Sequence, residues 1–445
     1  MKTEYLNVLW GKDIVGTLSR AARGKRGKVI FQYSQEWIKK HNSPISFALP
    51  CSPEAFNADE SLKFFGNLLP EGIVYGKLCE KWRIDPADIF SFLSIFGAEC
   101  AGALAIVKPD MPSLSLPHSY KDITDDLERL LLEADEYRTG IILETDARLS
   151  IAGAQDKLPV YTENGRFFIP DIGSLAPTTD ILKPTAPGFP DLDKNEAFCL
   201  ALAAKIGLPA PEAQIVSFGS KQALLVERYD RERSQSEVKR LHQEDFCQAL
   251  GYREKYEEKG GPGFAACAKL LLNPVMGKEE ESKARDVFLR CAILNYVIGN
   301  CDAHGKNFSL LYHPKGKVRL APFYDLVSTR LYPKLDQKYA MAIGKTFRFD
   351  RIAEHSWREF ANSLHIRPEH LQGVMAETVE RIATQANTVA SAQEAAYGSA
   401  PVYENLLGII KEGLKRVKKT TESLHKSAKT DYPAYEEEND SSPSP

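Results

Sequence analysis

Apolar positions change their period as the chain proceeds. From Tyr5 to Leu18 apolar and polar residues alternate about a Gly11-Lys12-Asp13 turn, which predicts two strands. Val29 to Tyr33 predicts a third. Ser61 to Leu69 and Ile73 to Trp82 carry helical patterning, broken by Pro70-Glu71-Gly72. Asp85-Pro86 predicts the start of a short helix through Phe92. Residues 97–107 turn through Gly97 and Gly102 into an apolar strand. Residues 1–110 therefore predict a compact α+β unit.

Residues 109–119 are rich in Pro and Ser, and an acidic helix is predicted over 123–136, so 111–140 reads as connector and helix. Strands are predicted at 158–162, 166–169 and 180–183, then a helix near 194–206. Ala223 to Tyr229 is an apolar strand ending in a polar hinge. From 243 onward the pattern is mostly helical, except for a hairpin of Phe308–Tyr312 and Val318–Phe323 joined through Pro314-Lys315-Gly316. The order predicts a β-rich lobe over 141–235 and a helical lobe over 236–425. Residues 411–429 are Lys-rich, and 426–445 read as a disordered tail whose end, from Asp431, is acidic.

Composition narrows the function. With 445 residues and a net charge of −3, nothing global points to direct nucleic-acid or membrane-surface binding. The eight cysteines are scattered with no CxxC pair, which predicts buried thiols in a reducing compartment. No apolar leader opens the chain and no run approaches ~18 apolar residues. The expectation is a cytoplasmic protein with no membrane contact.

The chemistry concentrates after a predicted core helix. Val287, Phe288, Cys291, Leu294, Val297 and Ile298 recur at helical spacing over 284–298, and Gly299-Asn300 ends the helix. The next loop reads Cys301-Asp302-Ala303-His304-Gly305-Lys306-Asn307, and Pro322-Phe323-Tyr324-Asp325 closes the following hairpin. Each residue alone is an ordinary turn former. Together, Asp302, Asn307 and Asp325 supply what metal-assisted phosphoryl transfer requires. One carboxylate takes the proton from the attacking hydroxyl; an amide oxygen and a second carboxylate hold Mg²⁺ on the nucleotide phosphates. His304 and Lys306 share that loop. Asp302-Ala303-His304 also fits a nuclease-type metal pair, a reading that leaves Lys306 and Lys183 without a role.

Lys183 ends a predicted strand, where it reaches nucleotide phosphates or is simply a solvated edge lysine. Glu196, early in the next helix, is the nearest acid to orient it. Leu149 to Lys157 lies where a kinase carries its phosphate-covering loop. It is not GxGxxG, since only Gly153 is present. Ala152, Gly153, Ala154 and Gln155 still let backbone N–H groups approach phosphate oxygens, and Lys157 adds charge. The same stretch also fits a surface turn. Glu227 and Tyr229 fall at the expected lobe junction, where their backbone meets an adenine edge and Tyr229 stacks nearby. Gly260-Gly261-Pro262-Gly263, with Lys255, Tyr256 and Glu257 before it, fits either a helix connector or a substrate contact.

Taken in order, these motifs resemble the HipA-type serine/threonine kinases, the toxin half of bacterial toxin–antitoxin pairs. The resemblance covers residues 5–330 and fades after about 345. It adds Phe64 to Gly72, Val226 to Arg231 and Gln243-Glu244-Asp245 to the segments above. It implies a two-lobed protein-kinase-like fold with an extra N-terminal α+β domain. It implies ATP and Mg²⁺, with Asp302 as base, Asn307 and Asp325 on the metal, Lys183 on the phosphates, and Glu227 and Tyr229 at the adenine. It also implies that Ser150 is autophosphorylated, which ejects the phosphate loop and silences the kinase. Family precedent is a substrate in translation, notably an aminoacyl-tRNA synthetase such as the glutamyl enzyme. A further precedent is a helix-turn-helix, HipB-like antitoxin through which operator DNA is reached. A non-catalytic co-repressor and a kinase of a small molecule or lipid are the alternatives.

Overall fold

The computed structural model describes residues 3–21, 28–110, 118–137, 141, 145, 156–171, 174–186, 188–235, 237–272, 278–313 and 317–431. The N-terminal unit has strands β1 (Thr3–Trp10), β2 (Asp13–Ala21), β3 (Ile30–Tyr33) and β4 (Leu104–Val107), in the order β3-β2-β1-β4. Its helices are α1 (Gln35–Lys40), α2 (Ala58–Phe65), α3 (Gly72–Lys81) and α4 (Ile89–Phe96). The predicted helix at 85–92 starts later than Asp85-Pro86 suggests. The cap is Asp88, whose side chain accepts a hydrogen bond from Ser91 N at 3.0 Å.

The second unit is a six-stranded antiparallel sheet. It contains β5 (Tyr120–Asp122), β6 (Leu158–Glu163), β7 (Arg166–Pro170), β8 (Asp180–Pro184), β9 (Ala213–Phe218) and β10 (Lys221–Glu227), in the order β5-β7-β6-β8-β10-β9. Helix α5 (Leu127–Tyr137) precedes β6, and α6 (Leu192–Lys205) follows β8. One apolar cluster runs from Leu6, Phe31 and Phe92 of the first unit to Leu158, Leu182 and Leu225 of this sheet. The two units therefore share a core.

Beyond the hinge lie β11 (Arg231–Arg233), β12 (Val238–Arg240), β13 (His242–Asp245), α7 (Phe246–Leu250), α8 (Phe264–Leu270) and α9 (Lys278–Ile298). The predicted hairpin forms as β14 (Ser309–His313) and β15 (Lys317–Leu320), with β13 added on its open side. The mostly helical remainder is interrupted again by β16 (Lys338–Ile343) and β17 (Thr346–Arg348), then closes with α10 (Glu354–Ser363), α11 (Pro368–Tyr397) and α12 (Pro401–Asp431). From Phe288 to Ile298 nearly every residue of α9 is buried, so the helix forms the axis of the second core. The architecture is α+β, with a sheet lobe and a helical lobe meeting at residues 227–245. All eight cysteines are free thiols. Among the described residues no helix is long and apolar enough to cross a membrane.

Candidate active site

A cleft between the lobes brings together the described candidates Lys157, Lys183, Glu227, Tyr229, Asp302, His304, Lys306, Asn307 and Asp325. Ser150, Ala152, Gly153, Ala154 and Gln155 lie outside the described residues.

The rigid half of the cleft rests on β8 and α6. The Lys183 side chain is only 4% exposed, and its Nζ reaches Glu196 Oε1 at 2.6 Å and Asp325 Oδ1 at 2.5 Å. Burial alone pulls an ammonium pKa down. Here the Asp325 and Glu196 carboxylates outweigh it, and the Lys183 pKa rises above its ordinary value. Burial is also the largest influence on Asp325. The neighbouring lysines Lys183 and Lys157 overcome it and hold that carboxyl well below the usual range. Asp325 has a φ of +52°, a left-handed conformation that non-glycine residues seldom adopt. Asn300 helps to hold it, donating to the Asp325 carbonyl at 3.4 Å.

The other half is the loop after α9. Gly299, at φ +70°, turns the chain where a Cβ would lie 2.7 Å from Arg330 Cδ. Asp302 follows with its side chain 49% exposed. Tyr256 donates its hydroxyl proton to Asp302 Oδ1 at 2.7 Å. Burial raises the Asp302 pKa despite that bond. Burial also lowers the His304 pKa to about 3, so its ring is neutral. That ring meets Tyr256 edge-on at 5.3 Å. Asn307 donates Nδ2 to the Asp302 carbonyl at 3.2 Å, which leaves its Oδ1 as the acceptor end.

The Gly260-Gly261-Pro262-Gly263 turn supports this loop. A Cβ on Gly305 would fall 2.5 Å from Pro262 Cγ, and one on Gly261 would fall 2.6 Å from the Glu254 carbonyl. Gly305 N also donates to the Lys255 carbonyl at 3.3 Å. The turn is therefore packed under the Asp302 loop.

At the hinge Glu227 is exposed and Tyr229 is partly buried. The Glu227 N–H is committed to the Glu212 carbonyl at 2.9 Å. An adenine edge at this point would meet other backbone groups of the hinge. The Tyr229 ring stacks on Tyr324 at 5.7 Å and its hydroxyl bonds Gln243.

One wall of the cleft lies in the Phe64–Gly72 stretch, to which the sequence assigned no role. Glu71, from the turn before α3, pairs through Oε1 with Lys306 and through Oε2 with Lys255, each at 2.7 Å. Burial pushes its carboxyl up, but Lys306 and Lys255 prevail and hold it at about 2. Asn67 of the same turn donates to the Tyr252 carbonyl at 3.0 Å and accepts from Lys306 Nζ at 3.2 Å. The local signals were the helix break at Pro70-Glu71-Gly72 and the resemblance of Phe64 to Gly72 to the family, and neither names the partners of Glu71.

Among the described residues no group of three or more His, Cys, Asp or Glu side chains forms a metal cage. Asp325 and Asn307 offer a carboxylate and an amide oxygen in one cleft. That small, hard donor set fits Mg²⁺, which is commonly held by one or two protein ligands plus phosphates and water.

The chain matches two family models, "HipA N-terminal domain" over residues 6–107 and "HipA-like C-terminal domain" over residues 149–386. It is 38% identical over 399 residues to a Sinorhizobium fredii protein named as a kinase, Y4mE, covering 86% of this chain and 92% of that one. It is 31% identical over 385 residues to the serine/threonine-protein kinase toxin HipA of Shewanella oneidensis, covering 82% and 84%. A structure of the Shewanella oneidensis HipA, HipB and operator DNA complex contains a chain of the same fold. The TM-score is 0.74 at 26% identity, over 96% of this chain and all of that one.

Proposed function

This chain belongs to the HipA family, and from that premise we propose that it is an ATP- and Mg²⁺-dependent serine/threonine protein kinase acting as the toxin of a toxin–antitoxin pair. The observation that carries the reading is the convergence of Lys183, Asp325, Asn307 and Asp302 on one cleft from segments far apart in sequence.

Lys183, fixed by Glu196, binds the α- and β-phosphates of ATP, with Lys157 close by. Asn307 and Asp325 hold Mg²⁺, which when bound neutralises the phosphate oxygens. Asp325 exchanges part of its contact with Lys183 for that role. Asp302 is the base. Its open carboxylate takes the proton from the acceptor hydroxyl as that oxygen bonds the γ-phosphorus and the bond to the β-phosphate oxygen breaks. Tyr256 holds Asp302 in the orientation this step requires. His304, neutral, packs the loop and carries no charge into the phosphate site. The hinge from Glu227 to Tyr229 receives the adenine through backbone groups other than the Glu227 N–H.

The acceptor is a serine of a protein of translation, with an aminoacyl-tRNA synthetase as family precedent. Phosphorylation stops growth in the cytoplasm. Autophosphorylation at Ser150, as the family resemblance implies, adds nearly two negative charges and switches the kinase off. A HipB-like helix-turn-helix protein is the antitoxin, and operator DNA is reached through it, which agrees with the near-neutral net charge of −3.

The test is brief induction of the chain and of its Asp302→Ala and Asp325→Ala variants, with growth and phosphopeptides followed. The expected outcome is growth arrest and new phosphoserines with the unsubstituted chain only, one of them on its protein target. Arrest and phosphorylation persisting in both variants would sink the proposal. Peptide mapping of a Ser150→Ala variant should show phosphate lost at that position.

A further inference from the structure

Among the described residues lining the cleft, Glu71 is the only acid contributed by the N-terminal unit. Its placement is fixed on both sides. Gly72 follows at φ +60°, and Asn67 ties the preceding turn to the Lys63 and Tyr252 carbonyls at 2.7 and 3.0 Å. The carboxylate bridges two ammonium groups from different segments. Lys255 comes from the loop that carries Tyr256, and Lys306 from the loop that carries Asp302. The two lysines therefore belong to the two segments that the Tyr256–Asp302 hydrogen bond joins.

The unit does not need this contact to stay docked. It shares an apolar core with the sheet lobe. Glu99 pairs with Arg228 at 2.9 Å and Arg231 at 2.7 Å, all within the protein. Phe47 N donates to Glu244 at 3.1 Å. The Glu99 pairs are closed to solvent, with side chains 1–2% exposed, whereas the Glu71 side chain is 25% exposed and faces the cleft. Without it two like charges would share a small space and turn toward another anion of the cleft, Asp302 or a phosphate.

We propose that Glu71 is a positioning residue of the catalytic centre, supplied by the N-terminal unit. It holds Lys255 and Lys306 where they face the transferring phosphoryl group and keeps both ammonium groups off Asp302. This rests on the kinase reading, and it makes the N-terminal unit a working part of the cleft.

The test compares Glu71→Gln and Glu71→Asp in the full chain. Three quantities are read: calorimetric binding of Mg·ATP, the thermal unfolding midpoint, and the initial rate of phosphate transfer from γ-labelled ATP to the chain itself at saturating ATP. Removing a positioning group costs on the order of tenfold to a hundredfold in rate. Glu71→Gln should show that loss with ATP affinity within about threefold and an unfolding midpoint close to that of the unsubstituted chain. Glu71→Asp, which keeps the charge, should regain most of the rate. The inference is overturned if Glu71→Gln transfers phosphate at the unsubstituted rate. It is also overturned if rate, affinity and unfolding midpoint all fall together and Glu71→Asp is no better. Absence of transfer by the unsubstituted chain would overturn the kinase reading and this inference together.

Discussion

Two clusters of charged side chains lie near the lobe junction, and they are built from similar residue types to opposite ends. At the junction itself Glu99, Asp230, Arg228 and Arg231 have side chains 1–3% exposed. Arg228 forks onto Asp230 at 2.9 and 2.8 Å, and Gly102 N donates to Asp230 at 2.7 Å. Arg240 closes the set on Glu99. Burial would raise the Glu99 pKa, but the three guanidinium groups hold it at about 2. In the cleft, by contrast, the side chains of Asp325 and Asp302 are 31% and 49% exposed. Asp325 also carries a left-handed backbone. The first cluster is closed upon itself and holds units together. The second leaves carboxylate oxygens available and stores local strain, as a site awaiting a charged ligand does. Charge clustering alone does not separate them; open acceptor atoms and backbone geometry do.

That contrast predicts different failures. Glu99→Ala removes the shared partner of buried arginines and should destabilise folding by about 3–5 kcal/mol. The transfer rate per folded molecule should survive; chemical denaturation and an activity assay at low temperature would read the two effects separately. Lys183→Met should do the reverse. Transfer should fall by about 10²–10³-fold with weaker Mg·ATP binding, because a charge aimed at the phosphates is lost. Unfolding should change less than for Glu99→Ala, and an equal loss of stability would collapse the distinction.

A third variant probes a buried carboxyl that belongs to neither cluster. Glu244 accepts from Phe47 N and bonds Tyr312, and burial pushes its pKa up to about 7. An acid raised in the folded state is held in its neutral form. Its contribution to stability is present below the unfolded pKa of 4.5 and is lost as pH rises through about 7. Over that window the unsubstituted chain should lose up to ~3 kcal/mol that Glu244→Gln does not lose. Denaturation midpoints measured at several pH values would reveal it as a difference in slope. The smallest effect belongs to the exposed Lys338–Glu258 pair at 3.0 Å, where Lys338→Ala should cost under ~1 kcal/mol.

How legible each feature was in sequence follows the range of its interactions. The Asp302 loop, Asn307 and Asp325 sit within a short stretch around a strongly periodic helix, so motif and spacing found them. Glu196 was found as the nearest acid to Lys183 in the next helix, and the structure pairs them at 2.6 Å. Glu71 fell within the Phe64–Gly72 stretch of the resemblance but received no role. It is 184 residues from Lys255 and 235 from Lys306, counting 255 − 71 and 306 − 71, and nothing in its neighbourhood marks those partners. The junction cluster's pairing was hidden for the same reason: Val226 to Arg231 stood out in sequence, but Glu99 and Arg231 lie 132 residues apart. Strands β5, β9, β11, β12, β13, β16 and β17 were not predicted, and two of them show the local grounds. β16, Lys-Tyr-Ala-Met-Ala-Ile, is buried after its first residue, so it has no alternation to separate it from a helix. β9 is an edge strand whose pattern of burial is irregular. The helix at Ile89 began late because a capping aspartate outranked the earlier Asp-Pro signal.

In the proposed reading the open cluster performs phosphoryl transfer with Asp302 as base. The direct measurement is phosphate incorporated from γ-labelled ATP into protein by the purified chain and by Asp302→Asn, each with and without Mg²⁺. The account predicts Mg²⁺-dependent incorporation by the unsubstituted chain and a loss of about 10²–10⁴-fold in the variant, with ATP binding retained. Equal incorporation by both proteins would contradict it.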